Sequence, residues 1–335
     1  MKQPSGRGRK GIAGTPLVWL LSDDRTGNTN QCVGVGDALG RRYQIRDIEY
    51  RRVGALPNQF LGASFLGITA ASRARLKPPW PDLVIAAGRR TAPVARKIKR
   101  LRAGNAFIVQ IMNPGSAGIG EFDLIASLRH DSMRDRPNII HITGAPHKVT
   151  PERLAQAADK WRQHFDHLPR PWFALIVGGS TTRGKFSAEA AGQLGRMASR
   201  MAAAAGGSLL VSTSRRTGDA AGPLLAGLDT PNHLFKWDDG GENPYFGYLA
   251  LADAVVVTGD SVSMCSEACA VPAPVYIFAP AEFTQRKHGR LHQELYKRGY
   301  ARPFDGAFEE WSHPLLLNAA HDVAAEIKKR LGWNG

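Results

Sequence analysis

Short apolar runs recur along the chain and alternate with segments of helical periodicity. In the first half, residues 17–21, 43–48, 83–87, 106–111, 124–126 and 139–142 read as strands, while 30–39, 91–101 and 151–165 read as helices. The last of these helices carries its own start signals, Thr150 at the N-cap and Pro151 at the first helical position. After Pro169 and Pro171 the pattern restarts with a strand at 172–177, a glycine-rich turn at 178–185 and an alanine-rich helix that runs to about residue 205. Strands at 209–212, 255–258 and 275–278 follow, and residues 314–331 form an amphipathic closing helix. Most of these strands are continuously apolar, as expected where crossover helices cover both faces of a sheet. The alternation predicts an α/β protein with mainly parallel sheets.

A length of 335 residues is enough for two domains, each with its own core. The expected division is a basic tail at 1–14, a Rossmann-like domain at 15–166, a linker at 167–171, a second Rossmann-like domain at 172–312, and a closing helix within 313–335 that packs back on the first domain. Two such domains facing across a cleft would bind ligands at the carboxyl ends of their strands.

Charge narrows the partners. The formal net charge is +15, which implies attraction to something anionic. The basic residues are dispersed (Arg41-Arg42, Arg51-Arg52, Arg73 to Lys77, Arg89-Arg90, Arg96 to Arg102, Lys328 to Arg330) and lack the aromatic interleaving of an RNA-binding surface. Nucleic acid therefore ranks below an anionic membrane surface. No apolar run approaches the length that spans a bilayer, so no transmembrane helix is expected. The basic start before Leu17 imitates a signal peptide, but its apolar part is too short and runs into Ser22-Asp23-Asp24-Arg25. These features predict a cytoplasmic protein, peripheral on the inner membrane face. Three cysteines cannot form a disulfide framework and fit a reducing compartment. Cys265 and Cys269 share a helix face without further ligands at metal spacing, so they read as packing residues and no metal is assigned.

The chemistry is sought in loops after strands. Thr258-Gly259-Asp260-Ser261-Val262-Ser263 turns a strand into a helix, where backbone N–H groups favour a phosphate, and Glu267 lies one turn further in to accept ribose hydroxyls. The alternative is a plain βα turn with serine caps. Gly179 to Lys185 has the spacing of a P-loop, but Phe186 stands where a magnesium-binding hydroxyl belongs. Its Ser180, Thr181 and Thr182 could instead hold a diphosphate through backbone N–H groups. Gly34-x-Gly36…Gly40 falls inside a helix with the wrong spacing for a dinucleotide fingerprint. In the loop after the first strand, Asp23, Asp24, Asn28 and Gln31 are candidates for binding a ligand or activating a hydroxyl, or else cap a helix. His130 and Asp131, past another strand, are candidates for general-base work or structural hydrogen bonding. Trp237 could stack on a base or belong to the core.

Together these residues resemble a known family. Val18-Trp-Leu-Leu-Ser-Asp-Asp-Arg-Thr-Gly-Asn-Thr-Asn-Gln31, Pro81-Asp-Leu-Val-Ile-Ala-Ala-Gly88, Phe122-Asp-Leu, Arg129-His-Asp131, Leu175-Ile-Val-Gly-Gly-Ser180 and Thr258 to Glu267 are similar to the mitochondrial fission family founded on a plant elongated-mitochondria protein. That family is similar in turn to two-domain GT-B glycosyltransferases. The resemblance implies a donor side in the second half, with Gly179 and Ser180 facing the diphosphate, Ser261 and Ser263 the phosphate, and Glu267 the ribose, and an acceptor side in the first. It implies a nucleotide diphosphate-sugar as co-substrate, no tightly bound cofactor, and an anionic or lipid-linked acceptor. No histidine follows Gly27, so the catalytic base is not given by position. Plant members recruit a dynamin-related GTPase, which implies the alternative of a non-catalytic adaptor with a protein partner. An ATP-binding P-loop protein is the lesser alternative.

Overall fold

The computed structural model describes residues 15–182, 184–312 and 316–333. The elements run β1 (Val18–Ser22), α1 (Thr26–Leu39), β2 (Gln44–Asp47), α2 (Asn58–Leu61), α3 (Ala70–Arg75), β3 (Leu83–Ala87), α4 (Ala92–Leu101), β4 (Phe107–Ile111), β5 (Leu124–Leu128), β6 (Ile139–Ile142), α5 (Pro151–Phe165) and β7 (Trp172–Ile176). They continue with α6 (Ala188–Ala204), β8 (Ser208–Ser212), α7 (Ala221–Leu225), β9 (Asn232–Phe235), α8 (Tyr245–Leu251), β10 (Ala254–Thr258), α9 (Val262–Ala268), β11 (Val275–Phe278), α10 (Arg286–Lys297), β12 (Arg302–Pro303) and α11 (Ala319–Leu331). Among the described residues they build two six-stranded parallel sheets, ordered β2-β1-β3-β4-β5-β6 and β12-β11-β10-β7-β8-β9. The expected α/β class and parallel pairing hold in both halves. Central strands such as β3, β4, β7 and β10 are buried along their length, whereas the edge strand β2 is polar and largely exposed.

The chain forms two compact units. The first comprises the described residues up to Ile142, Pro146–Lys148 and those from Ala319 on; the second comprises Thr143–Ala145 and Val149–Asn318. This differs from the expected boundary, because α5 belongs to the second unit. Leu154 and Phe165 of α5 join the core of Trp172, Tyr248 and Val255, and the Phe165 ring meets Trp172 edge-on at 5.9 Å. The segment 167–171 is accordingly a tight turn from α5 into β7: the Trp172 indole N–H donates to Leu168 O at 3.1 Å and the Ser208 hydroxyl to Pro169 O at 2.7 Å. The closing helix α11 lies against α1 and β6 in the first unit, and Arg330 donates to Asp123 O at 2.8 Å.

Each sheet has one point where the strand order reverses. In the first unit the chain moves from β1 to β2 and returns to place β3 on the other side of β1. In the second it moves from β7 through β8 to β9, then returns to place β10 beside β7, with Leu175 opposite Val256. Loops that leave the carboxyl ends of such strand pairs diverge and leave room for a ligand.

Candidate functional site

In the second unit the loops after β7, β8 and β10 converge on one buried carboxylate. Asp260 Oδ1 accepts from the Thr258 hydroxyl at 2.7 Å, and Oδ2 accepts from Gly179 N–H at 3.0 Å. Arg216, on the loop after β8, pairs with Oδ2 at 2.6 Å; the Asp260 side chain is fully buried while that of Arg216 is 35% exposed. The Thr258 hydroxyl in turn accepts from Gly178 N–H at 2.7 Å. A Cβ on Gly178 would lie 2.3 Å from Asp260 Oδ1, and one on Gly179 1.9 Å from Arg216 O, so this approach requires both glycines.

These contacts correct the expected phosphate cradle. Gly179 N–H is spent on Asp260, Ser180 N–H on Arg216 O at 3.0 Å, and Thr181 N–H on Gly184 O at 2.8 Å. Gly184 N–H returns to the Thr181 hydroxyl at 3.0 Å, and Phe186 N–H goes to Ser180 Oγ at 3.1 Å. The loop already holds an anion of its own, Asp260, whose partner Arg216 keeps its guanidinium partly exposed. The P-loop reading loses its geometry for the same reason. Helix α6 starts only at Ala188, where the Ser187 hydroxyl caps Ala190 N–H at 3.1 Å, and Lys185 sits exposed ahead of it.

Beyond Asp260, Ser261 caps α9 by accepting from Met264 N–H at 3.3 Å, and Ser263 is half-buried in the first turn. Glu267 is buried on α9 and accepts from the Tyr245 hydroxyl at 2.6 Å. Burial and then the Glu267 charge push the Tyr245 phenol well above its ordinary range, so it stays protonated and keeps donating. Cys265 and Cys269 lie in the core, where burial pushes both thiols up. Trp237, after β9, is 58% exposed rather than packed in the core, and its backbone N–H is held by the Thr213 hydroxyl at 3.0 Å.

In the first unit the loops after β1 and β3 meet. Asp23 accepts from Arg25 N–H at 3.0 Å and from the Asn28 amide at 3.0 Å, so it closes the start of α1; burial nevertheless raises its carboxyl above the ordinary value, against the pull of Asn28. Asp24 pairs with Arg90 at 3.1 Å, and the Arg90 guanidinium lies 3.7 Å from the Tyr50 ring centroid. Gln31 is buried in α1. The glycines of α1 serve packing: a Cβ on Gly34 would lie 2.3 Å from His147 O. His130 and Asp131 form a 3-10 turn directly after β5. With β3 and β4 between β1 and β5, strand spacing keeps that turn roughly 14 Å from the Asp23 loop. The four carboxylate and imidazole candidates are therefore not one cluster.

Arg216 and Tyr245 were not singled out by the sequence. Ser214-Arg215-Arg216-Thr217 after a strand is a usable signal for the first. Tyr245 opens α8, an element whose brief pattern carries no start signal: its N-cap is Pro244, without a side-chain bond.

Comparison with known proteins fits this layout. The profile of the family described as mitochondrial fission ELM1 matches residues 26–331. Mitochondrial fission protein ELM1 of Arabidopsis thaliana is 30% identical over 302 residues, covering 82% of this chain and 70% of the relative. An uncharacterized protein of Rickettsia prowazekii (strain Madrid E) is 29% identical over 356 residues, covering 95% and 99%. Among solved structures, the UDP-GlcNAc 2-epimerase of Methanocaldococcus jannaschii superposes with a TM-score of 0.55 at 11% identity, covering 93% of this chain and 99% of that one. S. aureus MnaA, in a structure with UDP, gives 0.51 at 11% identity, covering 96% and 98%. At such identities the likeness is one of fold, and the fold is GT-B-like. By the extent of the profile match and the identity to the plant protein, the chain belongs to the mitochondrial fission ELM1 family.

Proposed function

We propose that the second unit binds a nucleotide diphosphate-sugar and that the chain is a metal-independent glycosyltransferase of GT-B type, working at an anionic membrane face on an anionic or lipid-linked acceptor. The observation that carries this reading is the Glu267 carboxylate, fixed by a permanently protonated Tyr245 on the helix that follows β10. A carboxylate held in one orientation is suited to accept paired ribose hydroxyls without further loss of side-chain freedom. Ser261 and Ser263 would offer hydroxyls to a phosphate. Gly179, Ser180 and Thr181 would act by shape, with Arg216 supplying the cation that their occupied N–H groups do not. Trp237 would stack on the base. In the first unit Asp23, whose raised carboxyl is the better base, would take the acceptor proton, Asp24 would hold Arg90, and His130 with Asp131 would contact the acceptor elsewhere. The solved structures of similar fold include UDP-GlcNAc 2-epimerases, and one contains UDP, which makes a uridine donor the first to try. The net charge of +15 supports membrane contact at about 1 kcal/mol per basic residue near an anionic surface.

A thermal-shift screen against UDP-, GDP-, ADP- and CMP-sugars tests the donor claim. Stabilisation by one of them, lost in Glu267→Ala, is expected; stabilisation by none would sink it. Product analysis then separates transfer from sugar epimerisation. A second reading, a non-catalytic adaptor that recruits a membrane-remodelling partner, is favoured by the internal Asp260 anion, which occupies donors a catalytic phosphate loop would keep open. It predicts that no nucleotide stabilises the chain. ATP with magnesium acting alone, through Lys185, would instead revive the P-loop reading.

A further inference from the structure

Residues 50–68 of the first unit leave the edge strand β2 and return to their starting point. Tyr50 and Ile68 form an antiparallel bridge, and Arg51 N–H donates to Gly67 O at 3.0 Å, so the segment is a closed loop with a hydrogen-bonded neck. Its inner side is tied to the strand-end loops of the sheet. Asn58 donates to Arg89 O at 2.9 Å and Pro114 O at 2.6 Å, while Arg89 donates to Leu56 O at 2.6 Å and Ala55 O at 3.1 Å. Phe65 packs on the core. The remaining large apolar side chains point outward: Leu56 is 44% exposed, Phe60 67% and Leu66 49%. Seven large hydrophobics are exposed among the described residues, and three of them fall in this one loop, which sets it apart from scattered surface leucines.

Asp47 and Glu49 precede the neck, but within the loop and the segment after it the charge is of one sign. From Arg51 to Pro81 the sequence contains no Asp or Glu, while Arg51, Arg52, Arg73, Arg75 and Lys77 lie in that stretch and are exposed. Arg75 pairs with Glu49 at 3.0 Å, but Arg51 and Arg52, at the neck, make no ion pair among the described residues. The basic run 96–102 is different, since Arg96 and Arg100 share Glu121 and Lys99 holds Asp123 at 2.7 Å. Free cations thus gather where the apolar side chains emerge.

We infer that the 50–68 loop is a membrane-insertion element: Leu56, Phe60 and Leu66 enter the interface of an anionic bilayer while Arg51 and Arg52 meet its phosphate headgroups. Apolar side chains ringed by cations fit that boundary better than either zwitterionic lipid or an uncharged apolar partner. The tether through Arg89 places the loop next to the segment that carries Arg90 and its partner Asp24. Docking would bring the acceptor candidates to the lipid surface. This deepens the membrane clause of the proposed function and is independent of the donor site.

Sedimentation of the full chain with vesicles of phosphatidylcholine and phosphatidylserine tests it. Leu56→Ser with Phe60→Ser and Leu66→Ser should weaken binding at least tenfold with an unchanged melting temperature, and Arg51→Gln with Arg52→Gln should weaken binding at low salt and flatten its dependence on added salt. Phe60→Trp should gain fluorescence that lipids brominated in their acyl chains quench. Wild-type binding by the triple variant, or quenching of the Phe60→Trp variant no greater than that of the wild type on bound vesicles, would overturn insertion; binding by charge alone or through a protein partner would give that result. The same variants should keep their nucleotide-induced thermal shift, so failure of the donor reading and failure of the loop are read separately.

Discussion

Single contacts decide what the proposed donor side can be. Tyr245 supplies a hydrogen bond to a buried carboxylate, and removing one partner of such a pair leaves the other unsatisfied. Tyr245→Phe should therefore cost about 1–3 kcal/mol of stability by denaturant titration and weaken nucleotide binding, whereas Trp237→Ala, at an exposed ring, should weaken binding alone. Asp260 is the stronger case. It holds Arg216, Gly179 and Thr258 together, so Asp260→Ala should destabilise by about 1–3 kcal/mol, chiefly by leaving the buried Gly179 N–H and Thr258 hydroxyl without their acceptor. A drop below about 0.5 kcal/mol would show that the loop closes without it. At this scale sequence reading pointed to the loops after β7 and β10, and the first of them spends its N–H groups internally. Gly179, Ser180 and Thr181 have the composition of an anion cradle, and nothing in their spacing reveals that the anion comes from Asp260, eighty residues away in the chain.

Elements carry the pH dependence. His292 on α10 is buried against the turn after β10, where its Nε2–H donates to Gly259 O at 2.9 Å. Burial lowers its pKa from 6.5 to about 4. The unfolded chain then takes up a proton that the folded chain refuses, so this contribution is intact above the unfolded value and is lost as pH falls from 6.5 toward 4. The loss is at most about 3 kcal/mol. Unfolding followed across that window should show wild-type stability falling, and His292→Gln should flatten the profile; a parallel profile would remove His292 from the cause. Elements were also the most legible level of the sequence. Continuous apolar runs found the buried strands, and Thr150 with Pro151 found the start of α5, where the threonine hydroxyl does accept Arg153 N–H at 3.3 Å. Elements at the periphery escaped: β9 and β12 lie at sheet edges, where half-exposed positions blur the pattern, and α10 is too polar overall to stand out.

For the whole molecule, the two-sheet α/β plan follows from strand–helix alternation, but unit membership does not. Prolines at 169 and 171 suggest a linker, yet the side chains that bury α5 belong to the second unit's core, and such packing is invisible to local composition. Among the described residues no helix is long and apolar enough to cross a membrane, and the 50–68 loop is the surface feature proposed to meet one. The central claim concerns the helix after β10. Isothermal titration of the chain with UDP-GlcNAc and the other nucleotide sugars, beside Glu267→Ala and Tyr245→Phe, tests it most directly. Saturable one-site binding that Glu267→Ala abolishes and Tyr245→Phe weakens is the predicted result; no heat with any nucleotide, or equal affinity in Glu267→Ala, would contradict it.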